Sequence, residues 1–341
     1  MGGDRKAIVA GAGGFIGHHL VTRLKAEGVW VRGVDVREPK FGKSHADEFV
    51  TADLRDFENC VQAVRGVDDV YQLAADMGGI GYITSRFASL TRNNILINTN
   101  MLEASRLEGV QRYLFSSSAC VYPAYLQKAS SVEPLREEAA IPSDPEKGYG
   151  WEKLFAEQLT TYYREDHNLD VRIVRFHNIY GPLGTYDGGR EKAPAAICRK
   201  VAEAEQGSSI EVWGDGKQTR SFCFIDDCVE GLVRIMGSGF SEPINLGSEE
   251  LVTVDQLFDY VCEIAGKSLV IKHDPTKAQG VRGRNSDNRL LRKVLNWEPK
   301  TKLKEGLPRT YLWIWTQLFQ QGRAKSPAPK PTLTKPVPTR S

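Results

Sequence analysis

Gly11-Ala12-Gly13-Gly14-Phe15-Ile16-Gly17 follows the run Lys6 to Ala10 and opens a helical stretch, Phe15 to Glu27. Strand, glycine turn and helix in that order make the phosphate-binding end of a doubly wound α/β sheet. Gly11, Gly14 and Gly17, spaced G-x-x-G-x-x-G, permit a tight turn. They also let backbone N–H groups approach a pyrophosphate at the positive end of the helix, beside Phe15 and Ile16. Asp35 closes the second strand, 18 residues past Gly17. A carboxylate there accepts from both ribose hydroxyls and repels a 2′-phosphate. The pattern therefore predicts NAD, with Arg37 nearby keeping NADP open.

Working outward, Ala7 to Ala10, Val29 to Val34, Val70 to Leu73, Arg112 to Ser116 and Val171 to Phe176 are expected strands, with amphipathic helices between them. That alternation predicts a Rossmann-type α/β fold, a doubly wound parallel sheet with helices on both faces. Residues 1–180 are read as the dinucleotide-binding domain, with some later segments returning to it. Turn clusters at Gly181 to Gly189 and Gly214 to Gly216 then loosen the pattern, so residues 181–322 are read mostly as a smaller, mixed substrate domain. From Arg323 to Ser341 come five prolines and five basic residues with no acidic one. Such a composition cannot build a core, and a disordered tail is expected.

The balance of 45 basic against 43 acidic residues leaves a formal charge of +2, so no global field points to nucleic acid or a membrane surface. An anionic ligand must be held by local cations. Six cysteines, Cys60, Cys120, Cys198, Cys223, Cys228 and Cys262, stand singly, without the close pairs of a zinc site. Reduced thiols and a cytoplasmic location are expected. The first apolar run is only a strand long, unlike a signal peptide, and no run reaches membrane-spanning length. His18, His19 and His177 have no spacing that demands a metal, and none is expected.

In Tyr149-Gly150-Trp151-Glu152-Lys153, Tyr149 and Lys153 are four apart and share one face of a helix that starts near Tyr149. A phenol ordinarily ionises near pH 10, so a tyrosine acting as a base near neutrality needs adjacent positive charge. Lys153 and an oxidised nicotinamide would supply it. Ser116-Ser117-Ser118 ends a strand upstream, and Ser118 is the candidate hydroxyl donor to the oxygen being oxidised. These groups define hydride transfer between a carbinol carbon and a nicotinamide.

The order G-x-x-G-x-x-G, Ser-Ser-Ser, Tyr-x-x-x-Lys, then Asn178-Ile179-Tyr180-Gly181-Pro182 resembles the extended short-chain dehydrogenases that act on nucleotide sugars, over nearly the whole chain to about residue 320. Three stretches look most like the GDP-mannose 3,5-epimerase branch: Met77 to Gly81, Ser118 to Pro123 and Gly188 to Ala196. That resemblance implies GDP-mannose as substrate and a homodimer. It places Asp53-Leu54 and Leu73-Ala74-Ala75 against the adenine and over the cofactor. It makes Gly78, Asn178, Lys200, Arg220 and either Arg282 or Arg284 substrate contacts, the arginines suited to a diphosphate by their forked donors.

Where related 4,6-dehydratases carry Asp and Glu after the Ser/Thr, this chain has Ala119 and Cys120, so dehydration is not expected. A thiol, ordinarily ionising near pH 8.5 and lower beside cations, can take a proton next to a ketone. The bland reading of Cys120 is a small buried apolar side chain. Lys192 resembles the family's opposing acid, the bland reading being an exposed loop lysine. The expectation is oxidation by NAD at carbon 4, proton exchange at carbons 5 and 3 by Cys120 and Lys192, and re-reduction, giving GDP-L-galactose and GDP-L-gulose. A UDP-sugar 4-epimerase would use the same Tyr149 and Lys153 without a base at 120. A catalytically silent NAD-binding regulator is the non-enzyme alternative, and the intact Ser118, Tyr149 and Lys153 argue against it.

Overall fold

The computed structural model describes residues 5–277 and 279–325. Strands β1 (Lys6–Ala10), β2 (Trp30–Asp35), β3 (Glu48–Thr51), β4 (Asp69–Gln72), β5 (Arg112–Ser118) and β6 (Asp170–Phe176) are followed by β7 (Ile179–Tyr180), β8 (Ser209–Trp213), β9 (Thr219–Ser221), β10 (Cys223–Phe224), β11 (Pro243–Leu246), β12 (Leu251–Thr253), β13 (Val270–Asp274) and β14 (Gly283–Arg284). The helices are α1 (Phe15–Ala26), α2 (Phe57–Val64), α3 (Ile80–Ile83), α4 (Phe87–Leu107), α5 (Tyr149–His167), α6 (Ala193–Glu203), α7 (Ile225–Gly237), α8 (Val254–Ala265), α9 (Arg289–Leu295) and α10 (Leu303–Gln320).

The main sheet runs β11-β6-β5-β4-β1-β2-β3, parallel throughout. The chain winds outward from β1 to β3, then returns to the other side of β1 for β4. The order therefore reverses at β1/β4, and in such sheets the ligand crevice lies beyond the carboxyl ends of the strands at that reversal. The inner strands β1 and β4 to β6 are largely buried on both faces, and their apolar residues divide between two cores. In β1, Ala7 and Val9 enter the core shared with α1, α7 and the C-terminal helices, whereas Ile8 and Ala10 enter the core under α2, α4 and α5.

All five expected strands form, shifted by a residue or two at their ends. Two others gave no clear signal. β3 has exposed first and last residues, and β11 is a four-residue strand that packs beside β6 only because the chain crosses back after α7. The remaining strands make small sheets, β12-β9-β14, β13-β8 and β10-β7, over the open end of the main sheet. Helix α10 packs on α6 and α8 there. α8 begins at a capping box in which Thr253 and Gln256 satisfy each other's backbone N–H groups.

The expected start of the tail at 323 needs correcting. Arg323 pairs with Asp187 at 2.8 Å and Glu203 at 2.5 Å, and the Lys325 N–H donates to the Ala202 carbonyl. The chain is thus docked through Lys325 against the end of α6 and the loop that carries Asp187, whose carboxylates pair with the guanidinium. Residues 326–341 lie outside the described residues.

Candidate active site

A cavity of 1210 Å³ opens at the sheet's reversal point, between the glycine turn at one end and the small sheets at the other. At the turn, Gly11 has φ +85°, and a Cβ on it would meet the Ala74 backbone at 2.9 Å. A Cβ on Gly17 would sit 2.2 Å from the Gly11 carbonyl, and one on Gly13 2.1 Å from that of Arg37. Turn, helix and second strand thus approach more closely than any side chain allows. No side chain caps α1 at Gly14, so its first N–H groups are left for an anion. Asp35 Oδ2 accepts from the Gly13 N–H at 3.1 Å. Burial raises its carboxyl pKa against that bond and the Arg37 N–H. Gly14, Phe15, Ile16, Leu54 and Leu73-Ala74-Ala75 line the same end. So does Asp53, held to Arg55 at 2.5 Å. A glycine cradle that any Cβ would fill, an uncapped helix and a carboxylate at the end of β2 together fit NAD.

Gly148, at φ +76°, turns the chain into α5 so that Tyr149 is its first residue and Lys153 lies one turn on. Both are buried. Lys153 Nζ donates to the Ser116 carbonyl at 3.0 Å and lies 5.6 Å from the Tyr149 ring centroid. Burial pushes the Tyr149 phenol well up, a hydrogen bond with Ser118 opposing it, and pushes the Lys153 ammonium down, with Glu152 and Glu157 opposing. The three residues singled out from spacing therefore lie together: β5 delivers Ser118, and α5 delivers the other two.

Cys120 follows Ser118 in a short 3-10 turn, whose N–H donates to the Ser118 hydroxyl at 3.2 Å. Its thiol does not show the net lowering expected beside a cation. Arg284 Nη1 lies 3.5 Å from Sγ, but burial and Glu146 outweigh it, and the thiol pKa is raised. Lys192, at the N-terminus of α6, lines the cavity half-buried. Burial lowers its ammonium pKa, with Cys120 opposing. Both positions proposed for proton exchange thus border the cavity that contains Tyr149.

Further along the wall, Lys200 donates to the Glu211 carbonyl at 2.7 Å and Arg220 to the Val281 carbonyl at 2.6 Å. Burial lowers Arg220 to about 10. Asn178, at φ +48°, donates to the Ser221 carbonyl, and Gly78 lies in the roof against the Tyr82 ring. Arg282 is the exception. It is absent from the cavity lining, its guanidinium pairing with Asp215 at 2.6 and 3.0 Å, and its neighbour but one, Arg284, takes the inward position. Neighbouring residues on a strand face opposite ways, so two arginines separated by one residue would share a face. Only Arg284 lies in β14, however, whereas Arg282 precedes it in a loop. Sequence reading also missed Glu146 and Gln127, both of which hold Arg284. Neither belongs to a motif whose spacing would have flagged it.

The model of the NAD dependent epimerase/dehydratase family matches residues 7–247. The chain belongs to that family. Among its relatives, GDP-mannose 3,5-epimerase of Arabidopsis thaliana is 48% identical over 318 residues, spanning 93% of this chain and 84% of the relative. UDP-glucuronic acid decarboxylase 1 of the same plant is 31% identical over 312 residues, 89% of this chain and 68% of the relative. Among solved structures, UDP-glucose 4-epimerase of Thermotoga maritima superposes with a TM-score of 0.82 at 28% identity, covering 92% of this chain and 99% of that one. As a member of the NAD dependent epimerase/dehydratase family, the chain is an NAD-dependent enzyme, and the cradle at Gly11–Gly17 with Asp35 is the part of it that suits that cofactor. No helix among the described residues is long and apolar enough to cross a membrane, and no cluster of His, Cys, Asp and Glu among them could hold a metal.

Proposed function

We propose that this enzyme converts GDP-α-D-mannose to GDP-L-galactose, and to GDP-L-gulose when carbon 5 alone inverts. The observation that carries the reading is a thiol and an ammonium, Cys120 and Lys192, on the walls of the cavity that contains Tyr149, in a chain 48% identical to a GDP-mannose 3,5-epimerase. Tyr149 accepts the proton of the carbon 4 hydroxyl, with Lys153 supplying positive charge and Ser118 holding the oxygen. NAD, when bound, supplies the oxidation at carbon 4 and its reversal. The ketone acidifies the hydrogens on carbons 5 and 3. The Cys120 thiolate takes one as a proton, and the Lys192 ammonium returns one to the opposite face, which changes the configuration. Arg220 and Lys200 face the diphosphate. A decarboxylase or 4-epimerase reaction needs no thiol at this place.

The enzyme acts in the cytoplasm as a homodimer. The six cysteines are all free and buried, as suits a reducing compartment, and the outer face of α5 exposes Trp151, Phe155 and Tyr162, an apolar face that a second copy would cover. The test of the activity is conversion of GDP-mannose in heavy water with no net release of reduced cofactor. Deuterium is expected at carbons 5 and 3 of the product, with carbon 4 keeping its hydrogen. Product without carbon-bound deuterium would instead mark a 4-epimerase. Sedimentation of the protein as a monomer at micromolar concentration would refute the dimer.

A further inference from the structure

Arg284 is buried at the end of β14 and divides its guanidinium three ways. Nε donates to Gln127 Oε1 at 2.6 Å, Nη2 to the Glu146 carboxylate, and Nη1 to Cys120 Sγ at 3.5 Å. Carboxylate and sulfur therefore share one cation. Their backbones are locked together as well, the Glu146 N–H donating to the Cys120 carbonyl at 3.0 Å. Glu146 lines the cavity, yet no proton transfer in the reaction above calls for a carboxylate there.

We propose that Glu146 is a positioning residue that sets the ionisation of Cys120 by competing with its thiolate for the Arg284 guanidinium. The inference rests on Cys120 acting as the base. In a buried site a thiolate is stable only with a cation beside it. A carboxylate on the same guanidinium takes up part of that field and adds its own repulsion. Burial and Glu146 accordingly hold the thiol above its ordinary range, while Arg284 and Ser118 act the other way. The other ionisable groups that interact with Cys120 are Tyr149 and Lys153 on α5, Lys192 at α6 and Arg220 on β9. Tyr149 and Arg220 also interact with Glu146, so a change at 146 reaches them as well as the thiol. The charge arrangement thus favours the protonated form of the base in the resting site, where a free thiolate would be prone to oxidation.

The test is the pH dependence of Cys120 alkylation by iodoacetamide in the full-length protein with NAD and no substrate, the modified site identified by peptide mass spectrometry. In Glu146→Gln the alkylation midpoint is expected about one pH unit below that of the wild type. The amide oxygen can still accept from Arg284, and Gln127 keeps the guanidinium in place. Glu146→Asp, which keeps the charge, should stay near the wild type, and Arg284→Gln should move the midpoint upward. If the Gln variant does not fold, Glu146→Ala removes the same charge and should shift it downward. A midpoint in Glu146→Gln that is unchanged or higher, or an equal fall in Glu146→Asp, overturns the proposal. Deuterium exchange at carbon 5 of GDP-mannose by the wild type separates the two readings. Absence of exchange refutes the epimerase reading while the alkylation midpoint still decides the effect of Glu146 on the thiol.

Discussion

Replacing Arg175 by Met should cost far more stability than removing its ion pair altogether. Arg175 on β6 donates Nε and Nη2 to Glu157 on α5 at 2.9 and 2.7 Å, and Nη1 to the Glu137 carbonyl at 2.7 Å. Its side chain is 4% exposed and that of Glu157 1%. Glu157 also accepts from the Ser117 hydroxyl, one residue before Ser118. Methionine matches the length of the arginine stem but leaves the carboxylate buried with Ser117 as its remaining side-chain donor. Breaking a buried pair on one side costs about 3–5 kcal/mol. Unfolding entropy near 2.1 cal/mol/K per residue amounts to roughly 0.7 kcal/mol/K for a chain of this length, so the expected fall in Tm is about 4–7 °C. Arg175→Met with Glu157→Leu removes both charges and should recover most of that loss, because replacing a buried pair by apolar side chains is often near neutral. Differential scanning calorimetry at fixed NAD concentration measures all three proteins. A single variant within about 1 °C of the wild type, or a double variant as unstable as the single, would falsify the claim that an uncompensated buried carboxylate is the cause.

Lys192→Met should leave oxidation at carbon 4 and proton removal by Cys120 intact but take away the donor on the other face. Mass spectrometry is then expected to find deuterium in recovered GDP-mannose, with inverted product reduced about 10²–10⁴-fold, and normal product formation would exclude Lys192 as the acid. Because burial lowers the Lys192 pKa, the ammonium is present at lower pH and lost as pH rises through that lowered value. The alkaline fall in wild-type epimerisation should therefore disappear from the residual activity of the Met variant, and a variant that keeps the same alkaline fall would assign it elsewhere. Ending the chain at Lys325 should change Tm by less than about 1 °C, whereas ending it at Gly322 removes the two Arg323 ion pairs, each partly exposed and worth up to about 1 kcal/mol, and should lower Tm by roughly 1–3 °C. Equal melting of the two truncated chains would mean that Arg323 contributes nothing measurable.

The cofactor end was legible because its chemistry is local. Gly11 to Gly17 must make one turn between one strand and one helix, and Asp35 follows at the end of the next strand, so spacing alone places them together. Tyr149 and Lys153 are legible for the same reason, as one turn of one helix fixes their distance. Five of the main sheet's seven strands were likewise visible, since strands buried on both faces tend to be written as apolar runs. What sequence spacing could not carry is contact between elements far apart in the chain. β11 joins the sheet beside β6 across a crossover that its own four residues do not announce. Arg282 and Arg284 are alike on paper, and only the pairing of β14 with β9 turns Arg284 into the cavity while Arg282 is taken by Asp215. A cation beside Cys120 would by itself lower its thiol pKa. The cation is there, but whether burial or charge prevails depends on how completely water is excluded and on a carboxylate, Glu146, brought by a separate loop. Desolvation and long-range charge pairing are properties of the packed molecule, and the tertiary structure alone decides them.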